Sequence, residues 1–182
     1  MLSRIIISGF GGQGVMKIGE IIGQGAFEQG IKSTVLPTYG IEQRGGTANT
    51  TVVISDKEIT APVADCPDVV CALNQASVNK YLSSVKKGGC LIVNSSQLDT
   101  PITREDIQVI EVPADEIALK LGSIKVSNIV MMGAYLGYAK TISLDVLRKT
   151  MDKKFTTKQE FAEMNSKALE IGYSIGSGEA AS

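Results

Sequence analysis

Histidine and tryptophan are absent from this 182-residue chain, cysteine occurs three times and aromatic residues make up only 5% of it. Each scarcity closes a route. Without histidine there is no His-ligated zinc site, no imidazole general base and no Ser-His-Asp triad. Cys66, Cys71 and Cys90 form no C-x-x-C pair and are one short of the four thiolates that hold an iron–sulfur cluster. Their expected place is the core, because a free cysteine packs as a small hydrophobe. So few aromatics leave no stacking platform for bases. Neither sign of charge dominates: a net charge of −1 gives no basic footprint for nucleic acid or an anionic membrane surface. No apolar run approaches the ~20 residues that span a bilayer. The first strand follows Met1 at once, leaving no room for a secretory leader, so the expected address is cytoplasmic.

What is present is ordinary globular material, 43% hydrophobic and 20% charged, with 19 glycines. Four of those glycines fall in Ser8-Gly9-Phe10-Gly11-Gly12-Gln13-Gly14, between an apolar run at Ile5-Ile6-Ile7 and a helical pattern carried by Val15, Ile18, Ile22 and Ala26. Gly9, Gly11 and Gly14 satisfy G-x-G-x-x-G where a Rossmann unit carries it. Glycines let backbone approach a ligand, and free N–H groups at a helix start favour an anion. The same glycines also suit a tight strand-to-helix turn in a doubly wound domain that binds no nucleotide. A dinucleotide site needs an acid at the end of the second strand, about 20 residues further on, for the ribose hydroxyls. That stretch reads Val35-Leu36-Pro37-Thr38 and carries no carboxylate, which removes most of the dinucleotide reading.

Further along, Thr38-Tyr39-Gly40-Ile41-Glu42-Gln43-Arg44-Gly45-Gly46 combines a charged pair, a phenol and three glycines, the composition of a functional loop on a rigid scaffold or of a solvated turn. Residues 47–55 alternate as a strand, 56–58 turn, and 59–61 form a short return, so an antiparallel hairpin is expected at the edge of an otherwise parallel sheet. Strands are expected at 68–73, 90–94 and 108–112, with a helix after Asn74, a good N-cap. Gly19, Gly23 and Gly25 each cost about 1 kcal/mol in the first helix relative to alanine, which implies close backbone approach to the sheet or to another subunit. From Pro113 onward the pattern is helical: 114–121, 128–139, 144–153 behind the cap Ser143, and 158–175. The fold class is therefore α/β, a Rossmann-like open and mostly parallel sheet with an antiparallel hairpin insertion and a C-terminal helical region. Residues 1–175 read as one domain and 176–182 as a frayed tail.

Gly9-Phe-Gly-Gly-Gln-Gly14, Tyr39-Gly-Ile-Glu-Gln-Arg-Gly-Gly46, and Asn165 with Ala168-Leu169 and Gly172-Tyr173 together resemble the gamma subunit of the 2-oxoacid:ferredoxin oxidoreductases, the catalytic domain shared with pyruvate and ketoisovalerate oxidoreductases. The resemblance covers nearly the whole chain; Ile41 stands where a proline is frequent. It implies a complex that oxidatively decarboxylates a 2-oxoacid, forms an acyl-coenzyme A and reduces ferredoxin. Thiamine diphosphate, Mg and iron–sulfur clusters then belong to alpha, beta and ferredoxin-like delta subunits, and this chain holds no cofactor alone. A short, separate gamma chain suits a 2-oxoglutarate enzyme, with pyruvate, branched-chain and indolepyruvate enzymes as rivals. No catalytic residue is expected here. Gly9, Gly11, Gly12, Gln13, Gly14, Tyr39, Glu42 and Arg44 are the candidate contacts for an anion, coenzyme A or a neighbouring subunit. Arg44 is the better anion contact, because its planar fork binds phosphate or carboxylate bidentately. Two other readings stay open: a stand-alone nucleotide-binding or sensing module, and a purely structural interaction protein.

Overall fold

The computed structural model of the protein describes residues 1–39, 46–155 and 159–179. Its strands are β1 (Leu2–Phe10), β2 (Lys32–Tyr39), β3 (Thr47–Ser55), β4 (Val69–Ala72), β5 (Cys90–Asn94) and β6 (Gln108–Val112). They form one sheet in the order β2-β3-β1-β4-β5-β6. β1, β4, β5 and β6 are parallel, and β3 runs antiparallel to both β1 and β2. The expected α/β, mostly parallel architecture is the one observed.

Successive strand residues alternate between two cores, as the period of a strand requires. Ile5, Ile7, Val52, Ile54, Cys71 and Ile92 face a layer made by α1 (Val15–Glu28), α3 (Ala114–Leu121), α4 (Ser127–Ala139), α5 (Leu144–Lys154) and α6 (Gln159–Ser177). Ile6, Val70, Ala72, Leu91 and Val93 face the opposite side, where α2 (Gln75–Tyr81) contributes Val78 and irregular segments contribute Ala64 and Val85. Asn74 caps α2 and Ser143 caps α5, each accepting the N–H three residues on. The first-helix glycines lie where close approach was expected: an added methyl would run into Thr50 at Gly19 and Val35 at Gly23, both in the sheet, and into Leu147 of α5 at Gly25.

The antiparallel element sits elsewhere than expected. β3 does not form an edge hairpin with 59–61; it is inserted between β1 and β2, its hairpin partner is β2, and 59–61 are irregular. Val52, Val53 and Ile54 are all fully buried, which requires neighbours on both edges and cover on both faces. The three residues 59–61 instead run into Pro62, which has no N–H to give a ladder. At the other end, α6 continues through Ser177 and stops at Gly178, whose φ of +72° no helix continues, so the helix outlasts the expected boundary at 175.

Two cysteines are core residues as expected and one is not. Cys71 and Cys90 are buried in β4 and β5, whereas Cys66 is exposed between Asp65 and Pro67, ahead of β4 where no layer covers it. Burial pushes the Cys90 thiol up to about 12 and raises that of Cys71 as well. Alkylation of the native chain is therefore expected to modify Cys66 alone, with Cys71 and Cys90 reacting only after denaturation; native labelling of all three would contradict the fold. Both buried thiols stay protonated in the folded state when an unfolded thiol, near 9, would ionise. Their contribution to stability is complete below pH 9 and is lost as pH rises toward 12.

Candidate functional site

The carboxyl ends of β1, β4 and β5 meet the starts of α1, α2, α3 and α4, and α1 and α2 leave on opposite faces between the neighbouring strands β1 and β4. Open α/β sheets bind ligands at such a switch point. The glycine turn stands there, and its geometry can be taken residue by residue. At Gly9 a Cβ would lie 2.7 Å from Gln13 Oε1 and 3.1 Å from Leu73 Cβ, so only glycine lets the Gln13 side chain fold back over the end of β1. Gln13 Oε1 accepts the Phe10 N–H at 2.6 Å and Asn74 Nδ2 at 2.9 Å. Gly12 and Gly14 have φ of +95° and +77°, which a residue with a Cβ rarely adopts. Gly14 is the N-cap of α1, which no side chain caps, and an added methyl there would collide with Asn128 Nδ2.

The turn does not offer all four of its N–H groups outward. Gly11 donates to the Gly46 carbonyl at 3.3 Å, tying the turn to the start of β3, and Gln13 donates to the Phe10 carbonyl at 3.1 Å. Gly12 and Gly14 keep N–H groups with no acceptor among the described residues. Tyr39 ends β2, with its backbone opposite Ala48. Glu42 and Arg44 lie outside the described residues, so the structure brings the glycine turn to the switch point without placing that pair against it. The strand order also gives a physical reason for the missing ribose carboxylate. β2 is two positions from β1, so an acid at its end would stand about 10 Å from the turn, twice the strand spacing.

Beside the turn is a hollow of about 280 Å³ lined by Gly12, Gln13, Asn94, Asp115, Lys125 and Asn128 among others. The Asp115 carboxylate accepts from Asn94 Nδ2 at 2.8 Å, from Ser127 Oγ at 2.5 Å and from Gln97 Nε2 at 2.5 Å. Asn94, itself 1% exposed, also accepts the N–H groups of Ala114 and Ser96. This network joins β5, α3 and α4 and fixes one wall. The lining also includes Lys125, which forms no ion pair among the described residues, and Asn128, whose Oδ1 is buried without a hydrogen-bond partner. A second hollow of about 300 Å³ shares Lys125 and Asn128 with the first and is lined further by Ile129, Phe155, Phe161 and Asn165. Among the described residues no three His, Cys, Asp or Glu side chains stand together as metal ligands. No helix of the described residues is long and apolar enough to cross a membrane.

Asp115, Asn94 and Lys125 went unremarked as site residues in the sequence. Asp115 reads there as an ordinary acid in a first helical turn, and its partners are spread from 94 to 127.

Residues 4–175 match the family model described as pyruvate ferredoxin/flavodoxin oxidoreductase. The chain is 36% identical over 170 residues to ketoisovalerate oxidoreductase subunit VorA of Methanothermobacter thermautotrophicus, covering 93% of this chain but 35% of that one. It thus spans about a third of that relative's length. It is 34% identical over 180 residues to 2-oxoglutarate synthase subunit KorC of Methanocaldococcus jannaschii, covering 96% of this chain and 94% of that one. Among solved structures, the gamma subunit of a keto/oxoacid ferredoxin oxidoreductase from Geobacter sulfurreducens superposes with a TM-score of 0.82 at 30% identity, over 96% of this chain and 98% of that one.

Proposed function

We propose, from the premise that this chain belongs to the pyruvate ferredoxin/flavodoxin oxidoreductase family, that it is the gamma subunit of a complex converting a 2-oxoacid, coenzyme A and oxidised ferredoxin into an acyl-coenzyme A, carbon dioxide and reduced ferredoxin, with 2-oxoglutarate as the oxoacid. What supports the 2-oxoglutarate reading is end-to-end correspondence at 34% identity with a 2-oxoglutarate synthase subunit of nearly the same length; indolepyruvate and pyruvate oxidoreductase subunits also correspond end to end, at the lower identities of 28% and 30%. The ketoisovalerate relative instead holds the matching segment within a much longer chain.

Within that complex the chain's part is to bind and to position. Its three cysteines do not fit a cluster: two are enclosed in the sheet, the third stands alone, and there is no histidine. The electron-carrying groups and thiamine diphosphate with its Mg then belong to alpha, beta and delta subunits in the cytoplasm, and no step is routed through them here. Coenzyme A is the ligand best suited to the switch-point hollow. The Gly12 and Gly14 N–H groups and Lys125 offer donors to a phosphate, and the apolar hollow beyond Asn128 offers a path for an extended arm. Tyr39, Glu42 and Arg44 would complete the contact or pair with a neighbouring subunit.

The test is the oxoacid preference of the reconstituted complex with coenzyme A and ferredoxin. 2-Oxoglutarate is expected to show a kcat/KM about tenfold or more above pyruvate, 2-ketoisovalerate and indolepyruvate. A higher value for any of the others would overturn the substrate and leave the family untouched.

A further inference from the structure

Asn74 does not line the hollow beside the glycine turn, yet it is bonded to both sides of the switch point. It follows β4 in extended conformation, with φ −160° and ψ 170°, and only 2% of it is exposed. Its Oδ1 accepts the Ser77 N–H at 2.9 Å, which starts α2. Its Nδ2 donates to Gln13 Oε1 at 2.9 Å, and that same oxygen accepts the Phe10 N–H at 2.6 Å. The Gln13 side-chain carbonyl stands 2.7 Å from where a Cβ on Gly9 would be, so the missing side chain makes room for it over the end of the strand. One buried amide therefore fixes the start of α2 and, through Gln13, the path of the backbone from Phe10 to Gly14.

We infer that Asn74 is a positioning residue for the glycine turn, setting through Gln13 the geometry in which the Gly12 and Gly14 N–H groups are presented. The requirement is for an amide, and an acid of the same size separates this role from helix capping. Asp caps α2 as well as Asn does, but its carboxylate has no proton to donate. In Asn74→Asp two acceptors face each other across the Gln13 contact. If the Gln13 amide turns over to donate to the new carboxylate, its NH₂ faces the Phe10 N–H, donor against donor. Either arrangement breaks one bond of the relay while leaving α2 capped.

The consequence for coenzyme A rests on the proposed function, so the test reads the turn and the ligand separately. In the assembled complex, amide exchange at Phe10 is expected to quicken about tenfold in Asn74→Asp, since the N–H loses its protecting acceptor. The KM for coenzyme A is expected to rise about tenfold with kcat within about twofold, the scale of one unsatisfied buried polar group. Tm is expected to fall by about 3–6 °C, because the cap persists while one buried polar contact is lost. Ser143→Ala removes the α5 cap as a control: Tm falls by about 3 °C and the KM for coenzyme A does not move. Unchanged exchange at Phe10 overturns the inference whatever the kinetics do. Faster exchange with an unchanged KM also overturns it if Gly12→Asp, a change within the turn itself, does raise that KM. If neither variant alters the KM, the coenzyme A reading falls, and faster exchange still supports Asn74 as the residue that shapes the turn.

Discussion

Gly172→Ala is expected to destabilise the chain by about 3 kcal/mol or more, which at this chain length lowers Tm by about 6–12 °C. Helix propensity alone argues the other way, because alanine is favoured over glycine by about 1 kcal/mol inside a helix. Packing decides the sign. An added methyl at Gly172 would collide with the Val130 carbonyl oxygen, and it would stand 2.9 Å from the Val130 carbonyl carbon and 3.0 Å from the Ala134 nitrogen. All three are backbone atoms of α4, so no side-chain rotation relieves the overlap. Gly176, also on α6, meets the Ala134 carbonyl in the same way, and Gly133 and Gly137 on α4 meet the backbone of α6 at Leu169 and Tyr173. Two G-x-x-x-G pairs face each other, and the two helices touch backbone to backbone. Gly11→Ala is the contrasting substitution: nothing lies within 4 Å of the added methyl and its φ is ordinary. A restricted unfolded chain then leaves stability unchanged or raised by up to about 1 kcal/mol. Thermal denaturation of the two variants side by side checks the difference, and equal Tm values would contradict the α4–α6 contact.

Gly12→Asp should raise the KM for coenzyme A in the reconstituted complex about 100-fold or more. Space is available, with nothing within 4 Å of a Cβ at this position. Its φ of +95° adds strain on the order of 1–2 kcal/mol, at a position type that aspartate tolerates better than most residues. The chain therefore folds. A new carboxylate beside a bound phosphate, about 4 Å away at an effective dielectric of about 20, costs about 4 kcal/mol per charge pair. An unchanged KM with an intact complex would mean that no anion of the ligand comes near the turn, and its glycines would then serve only packing and chain direction.

Much of the fold is readable from local pattern. The Ile5-Ile6-Ile7 run, the Asn74 and Ser143 caps and the glycines of the first helix each act through neighbours close in sequence or through one face of one element. The place of β3 is not readable in that way. Its Thr-Ala-Asn-Thr-Thr-Val-Val-Ile run specifies a strand, but which strands flank it depends on how the chain returns across the sheet, a non-local choice. The α4–α6 crossing did leave a trace, two matching glycine spacings about forty residues apart. Either spacing alone reads as loose helix, and only their pairing signals contact. At the site, the turn was legible from its glycines, but Gln13 was not. Its side chain turns inward and serves as the acceptor that holds the turn, a role that no local pattern marks. Asp115 could not be singled out, because its hydrogen-bond partners come from three separate stretches of chain.

The most direct measurement is the composition of the native assembly that contains this chain, purified without oxygen and analysed for subunits and bound cofactors. The expected result is co-purification with a thiamine-diphosphate-binding subunit, together with oxoacid- and coenzyme A-dependent ferredoxin reduction that the isolated chain does not show and that fails when this chain is left out of the reconstitution. A lone monodisperse chain in the native extract, or full turnover by the other subunits without it, would contradict its role as the gamma subunit.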